Sequence, residues 1–167
     1  MRSLYAKVLI LGYGFWFWAC GSSQVVPADA PFLHGIEVAR WGETGTEVRE
    51  RVEATSGWRW ITVLRDENGH ETSIVLCQGD EEYTLDLDVN GRIRSIHSIY
   101  PIAKLDSTVS NLERMYREPD KVDRRSTYEM RRWEVNPEGY VVWIVMMITK
   151  DFFSIQAVYK NGSQKNG

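Results

Sequence analysis

Residues 82–100, EYTLDLDVNGRIRSIHSIY, decide the fold. Tyr83, Leu85, Leu87 and Val89 alternate with Thr84, Asp86, Asp88 and Asn90. That period of two lays an apolar row along one face of a strand and polar groups along the other. Asn90-Gly91 follows, the dipeptide best suited to positive φ at both centres of a type I′ turn. A second strand returns through Ile93, Ile96 and Ile99, whose spacing of three predicts a bulge. A hairpin alone is marginal in water, so its apolar row requires more strands or helices against it.

Those elements lie on both sides. Upstream, Thr44-Gly45-Thr46-Glu47 matches a capping box and opens a short helix with Val48, Val52 and Thr55 on one stripe. Residues 58–65 alternate as a strand, with Trp58, Trp60, Thr62 and Leu64 on one face and Ile61 and Val63 on the other. Residues 70–78 form a second strand, apolar on both faces through Ile74, Val75, Leu76 and Cys77, and hence central. Downstream, Asp106 or Ser107 caps a helix that carries Val109, Leu112, Met115 and Tyr116 and stops before Pro119. Residues 127–135 read as a charged, edge-like strand. Residues 140–149, YVVWIVMMIT, read as a buried one, too short for a membrane helix. Residues 152–160 return as the last strand.

This order predicts an α+β fold, an antiparallel sheet packed by two short helices. It is built from two tandem helix-plus-strands units at residues 42–100 and 105–160, with four strands in the first and three in the second. The domain spans 32–160, after a linker at 20–31, and residues 161–167 form a polar tail expected to fray.

Composition sets outer limits. The 167 residues are 43% hydrophobic with seven tryptophans, enough for one packed domain. Basic and acidic side chains, 20 against 23, are interspersed without a basic block, which argues against a nucleic-acid footprint. At the N-terminus, Arg2 and Lys7 precede an apolar run at residues 8–19. Twelve helical residues reach ~18 Å against a ~30 Å hydrocarbon core, which favours an export signal over a spanning helix. A retained signal anchor and cleavage after Ala28 or Ala30 are the alternatives.

Ala19-Cys20-Gly21-Ser22-Ser23 resembles the bacterial lipoprotein signal, although Phe17 and Trp18 replace its usual residues. The resemblance implies removal of residues 1–19, lipid (such as palmitate) on Cys20, and a place in the outer membrane facing the periplasm. Cys77 then has no partner in the mature chain. Pairing with Cys20 remains the alternative if the segment stays attached. Gly42-Glu43-Thr44-Gly45-Thr46-Glu47-Val48, Asp88-Val89-Asn90-Gly91-Arg92-Ile93 and Tyr116-Arg117-Glu118-Pro119 resemble motifs of the SmpA/OmlA-type small outer-membrane assembly lipoproteins and of the β-lactamase-inhibitor-protein-like fold. That resemblance implies a helix-plus-sheet scaffold that binds other proteins without catalysis.

No constellation announces chemistry. Asp86 to Gly91 matches the start of an EF-hand loop, but His97 stands where a bidentate Glu is required, and the strand alternation runs through it. His34, His70 and His97 are isolated, Cys77 lies in an apolar run, and Glu81, Glu82, Asp86 and Asp88 read as a solvated strand face. No catalytic residue, metal or cofactor is assigned. Trp133, flanked by Arg131 and Arg132 and near Tyr128, is the candidate exposed anchor for a protein partner. The expected function is a non-catalytic envelope lipoprotein, membrane-held through Cys20, that binds an envelope protein. The alternative is a small-ligand or lipid-binding envelope protein with an aromatic-lined pocket. A cavity between helices and sheet would favour the ligand, and a flat Trp/Arg patch the protein partner.

Overall fold

The computed structural model describes residues 26–137 and 139–161. In chain order they form β1 (Gly35–Ile36), β2 (Ala39–Arg40), α1 (Gly45–Ala54), β3 (Trp58–Arg65), β4 (Glu71–Gln78), β5 (Glu81–Leu87) and β6 (Ile93–Pro101). A 3₁₀ turn leads into α2 (Leu105–Tyr116), followed by β7 (Lys121–Arg124), β8 (Glu129–Val135), β9 (Tyr140–Ile148) and β10 (Phe152–Asn161). Strands β3 to β10 make one antiparallel sheet in the order β3-β4-β5-β6-β10-β9-β8-β7, while β1 and β2 pair separately.

Helix followed by antiparallel strands occurs twice, and the second set has four strands where the sequence pattern suggests three. The extra one is β7, whose KVDR carries no apolar alternation and is held by pairing with residues 129–132 of β8. The last strand of each set would otherwise present an open row of N–H and C=O groups. These two strands meet at the centre, β6 against β10, with Tyr100 opposite Phe153 and Ile96 opposite Ala157. The Tyr100 and Phe153 rings stack across this seam at 5.2 Å and 17°. The hairpin from which the sequence was read is thus half of the sheet's middle.

Local chemistry adjusts its pleat. The register of β5 with β6 skips Arg94, and that bulge puts Ile93 and Ile96 on the same buried face. No second bulge follows, so Ile99 points to the other side and is 57% exposed. The turn is not type I′: of its residues only Gly91 has positive φ, and Val89 is fully exposed. Asp88 Oδ1 accepts from the backbone N–H groups of Asn90 and Arg92, which selects a type I turn closed by a left-handed glycine. In β3 the register skips Ile61, so beyond it Val63 faces the core side and Leu64 the open side. That reverses the faces read from unbroken alternation.

Among the described residues, helices and roof cover one face of the sheet. α1 buries Val48 and Val52 toward β3, and α2 buries Leu112 and Tyr116. α2 is fastened over β8, where Trp133 Nε1 donates to Arg117 O at 3.0 Å and Arg131 Nη1 to Glu113 at 3.3 Å. Its N-cap is Lys104 with no side-chain cap; Ser107 and Thr108 hydroxyls instead donate back to the Lys104 carbonyl. The helices therefore sit on the two wings. The middle is covered by residues 28–41, which the sequence assigns partly to a linker ending at 31. Ala30, Phe32, Leu33, Val38 and Ala39 are buried there, and Tyr116 OH donates to Pro31 O.

The capping box of α1 is present in full. Just before it, Glu43 accepts from both Arg51 guanidinium nitrogens at 2.6 and 2.5 Å and from Arg40 N at 2.8 Å. Burial pushes the Glu43 carboxyl up, but Arg51 and the Arg40 amide together outweigh it and hold the group below its ordinary value of 4.5. A depressed folded-state pKa contributes stability above the unfolded value, and that stability is lost as pH falls through the lower folded one. Glu43→Gln is expected to lower stability by about 1 kcal/mol at pH 7, with the gap closing in acid. Urea midpoints for both chains at pH 7 and at about pH 3 check this; a gap independent of pH would refute it.

Candidate functional site

Because the helices cover the wings and a thin segment covers the middle, a cavity of about 920 Å³ remains between that segment and the sheet. Its floor is the core face of the sheet, with Trp58 on the edge strand β3 and Tyr83, Tyr100, Ile155 and Tyr159 on the central strands. Thr108, Asn111 and Leu112 of α2 form one wall, and Phe32, His34, Glu37, Arg40 and Trp41 belong to the roof. Strand alternation explains the floor, since Tyr83, Ser98 and Ile155 lie side by side across β5, β6 and β10. Small Ser98 between larger neighbours is buried and turns its hydroxyl to Glu82 O at 2.7 Å, which leaves space above the seam.

The cavity has two differently built ends. At one, Trp58 Nε1 donates to Glu37 Oε2 at 2.9 Å and Gln78 Nε2 donates to the same oxygen at 3.4 Å. The Trp58 and Tyr83 rings meet at 5.2 Å, inclined by 46°. Tyr83 OH donates to Glu81 at 2.8 Å, and Glu81 is paired with Lys104 at 2.8 Å. Burial first, then the neighbouring Tyr100 and Glu81, push the Tyr83 phenol well above its ordinary range, so it remains a neutral donor. At the other end Trp41 stacks on Tyr159 at 6.0 Å and 15°, and Tyr140 leans on Tyr159 at 5.2 Å and 53°. Trp41 Nε1 donates to the carbonyls of Phe32 and Leu33 at 3.0 and 3.2 Å, which pins the roof. Tyr140 OH donates to Leu33 O at 3.2 Å and lies 2.9 Å from His34 Nδ1; with its proton so used, it accepts from an Nδ1–H tautomer.

The residues predicted as a partner-binding patch do not form one. Trp133 is 1% exposed, opposite Ile144, because β7 closes the edge beyond β8 and α2 lies above. Arg131 shares its face and is paired with Glu129 at 2.6 Å and Glu113 at 3.3 Å. Arg132, one residue on, points to the open face and lies 5.0 Å over the Trp143 ring. Tyr128 is exposed at the turn between β7 and β8. Adjacent strand residues take opposite faces, so Arg131 and Arg132 cannot serve one surface. Cys20 and the signal segment lie outside the described residues, and Cys77 is buried on the open side.

Acidic residues of β5 and of the turn after it go to separate tasks. Asp86 accepts from Ser73 at 3.0 Å and Ser95 at 2.6 Å, Asp88 holds its turn, and Glu81 binds Lys104 and Tyr83. Among the described residues no three or more His, Cys, Asp or Glu side chains converge to hold a metal ion, and no helix is long and apolar enough to cross a membrane. For the roof, the sequence leaves residues 32–41 open between a short edge strand and a turn of helix, on Leu33, Ile36 and Val38. Its signal was present in Phe32, Leu33, Ile36 and Val38, but in elements of two residues no period can be recognised. The chain matches no family model, no curated protein and no solved structure.

Proposed function

We propose that this domain is a non-catalytic ligand-binding module of the bacterial envelope, lipid-anchored through Cys20 in the outer membrane and facing the periplasm. The observation that carries the binding reading is the cavity of about 920 Å³ with six Trp and Tyr side chains in its lining. Its size falls within the roughly 300–1,000 Å³ of small-molecule sites, and apolar walls with a few convergent polar groups are their usual make-up. The polar groups here include Asp29, Glu37, Arg40, Gln78, Asn111 and His34. Glu81, Asp86 and Asp88 are each committed to a structural partner, which favours binding over acid–base catalysis.

A second reading, a protein partner on the open sheet face, rests on a different place from the one the sequence singled out. Leu64, Ile99, Met147 and Phe152 are exposed on that side. Trp143 lies there between Arg132 at 5.0 Å and Lys160 at 3.2 Å from its ring centre, and Trp143 Nε1 and Arg132 Nε are buried without a hydrogen-bond partner among the described residues. The cavity is preferred because it is concave, pre-formed and gathers six aromatic side chains with several polar groups.

One experiment tests anchor and ligand together. The chain is purified from a membrane fraction beside Cys20→Ser, and each is weighed under denaturing and native conditions. The expected denatured mass lacks residues 1–19 and carries a diacyl or triacyl increment that Cys20→Ser abolishes. The expected native mass exceeds it by a small molecule. An unmodified chain still carrying residues 1–19 would sink the anchor. Identical native and denatured masses, with no uptake from an envelope extract, would sink the ligand reading.

A further inference from the structure

Resting on the ligand-cavity reading, we infer that the cavity takes an organic cation, an amine or quaternary ammonium carried on an apolar body, with its charge seated at the Glu37–Trp58–Tyr83 corner. Three observations lead there. The lining is rich in aromatic side chains beside its aliphatic ones, with Trp58, Tyr83 and Tyr100 at one end and Trp41, Tyr140 and Tyr159 toward the other. Aromatic faces attract a cation through the ring quadrupole, Trp most strongly, whereas the same faces repel an anion.

Next, Glu37 is held in place rather than free to swing. Both of its donors, Trp58 Nε1 and Gln78 Nε2, fall on Oε2. Among the described residues Oε1 has no donor, and it is left to accept from a bound N–H or to lie against a methylated ammonium. The Trp58 ring that positions this carboxylate is also half of the 5.2 Å aromatic corner with Tyr83, so carboxylate and π faces act at one point. Last, the charge balance of the lining has the required sign. Asp29 and Glu37 stand against the single guanidinium of Arg40, while His34 is engaged with Tyr140.

The test uses three probes of one shape on the full chain in nanodiscs, followed by tryptophan fluorescence: benzyltrimethylammonium, uncharged benzyl alcohol and anionic benzylsulfonate. Benzyltrimethylammonium is expected to bind at least about tenfold more tightly than either of the others. Glu37→Gln keeps an oxygen for Trp58 but removes the charge, and Glu37 is exposed, so folding is retained. That variant is expected to lose about tenfold in affinity for the cation and none for benzyl alcohol, with an unchanged thermal midpoint. Equal binding of all three probes, tighter binding of benzylsulfonate, or indifference of the cation to Glu37→Gln would overturn the cation and leave the cavity as a ligand site. Binding of none of the three would overturn the cavity reading itself.

Discussion

Trp133→Ala is expected to cost about 4 kcal/mol, a large fraction of the roughly 5–15 kcal/mol by which such domains are stable. Trp133 is among the largest fully buried side chains and is 1% exposed. Its removal opens a void that β8, fixed between β7 and β9, cannot close. It also orphans the Arg117 carbonyl at the end of α2, where Arg117 is held at φ 67, a left-handed conformation that a residue with a Cβ adopts only under constraint. Trp133→Phe weights the second effect, since it keeps much of the volume but removes the N–H, and is expected to cost about 1–2 kcal/mol. Urea unfolding followed by circular dichroism gives both numbers. A loss below about 1 kcal/mol for Trp133→Ala would mean that the side chain is solvent-facing, and would restore it as a surface anchor.

Gly35→Ala is expected to abolish ligand binding while the eight-stranded sheet persists. Gly35 has φ +111, and a Cβ there would lie 2.1 Å from the Ala39 carbonyl oxygen and 2.9 Å from Arg40 Cα. Both are backbone atoms of the paired strand, so no rotamer change relieves the clash and the β1–β2 hairpin must open. Strain and overpacking together amount to at least about 3 kcal/mol, concentrated in the roof. His34, Glu37 and Trp41 are carried by that roof, so both ends of the cavity lose a wall. Hydrogen exchange is expected to rise across residues 30–41 and to stay slow in β5, β6, β9 and β10. Gly42→Ala is the control: φ is +79 but nothing lies within 4 Å of the added Cβ, so only backbone strain of about 1 kcal/mol is expected. Equal effects of the two substitutions would show that close approach in the hairpin is not what closes the cavity.

Some elements announce themselves because their determinants lie within a few residues. The capping box at Thr44–Glu47, the stripe of Val48 and Val52, and the alternation of Tyr83, Leu85 and Leu87 are contacts or periodicities of the chain with itself. Spacing even betrayed the bulge near Ile93 and Ile96. The bulge at Ile61 left no such trace, because WRWITVLR reads as unbroken alternation and only pairing with β4 reveals the skipped residue. β7 was invisible for a similar reason: four residues with one apolar side chain become a strand only because β8 offers an edge.

The candidate site was the least legible part. Trp133 among arginines looks exposed along the chain, but it is buried because a strand beside it and a helix above it, both distant decisions, close around it. Trp58, Tyr83, Tyr100, Tyr140 and Tyr159 were countable as aromatics, but nothing local says that they share one face around an empty space. By itself the sequence determined both helices, the strands of the main sheet other than β7, and their order, since propensity, capping and amphipathic period act over one or two turns of chain. Only the tertiary structure decided that β6 meets β10, that residues 28–41 roof the seam, and that a cavity remains beneath. Those outcomes depend on which open edges and uncovered faces find each other across the whole fold.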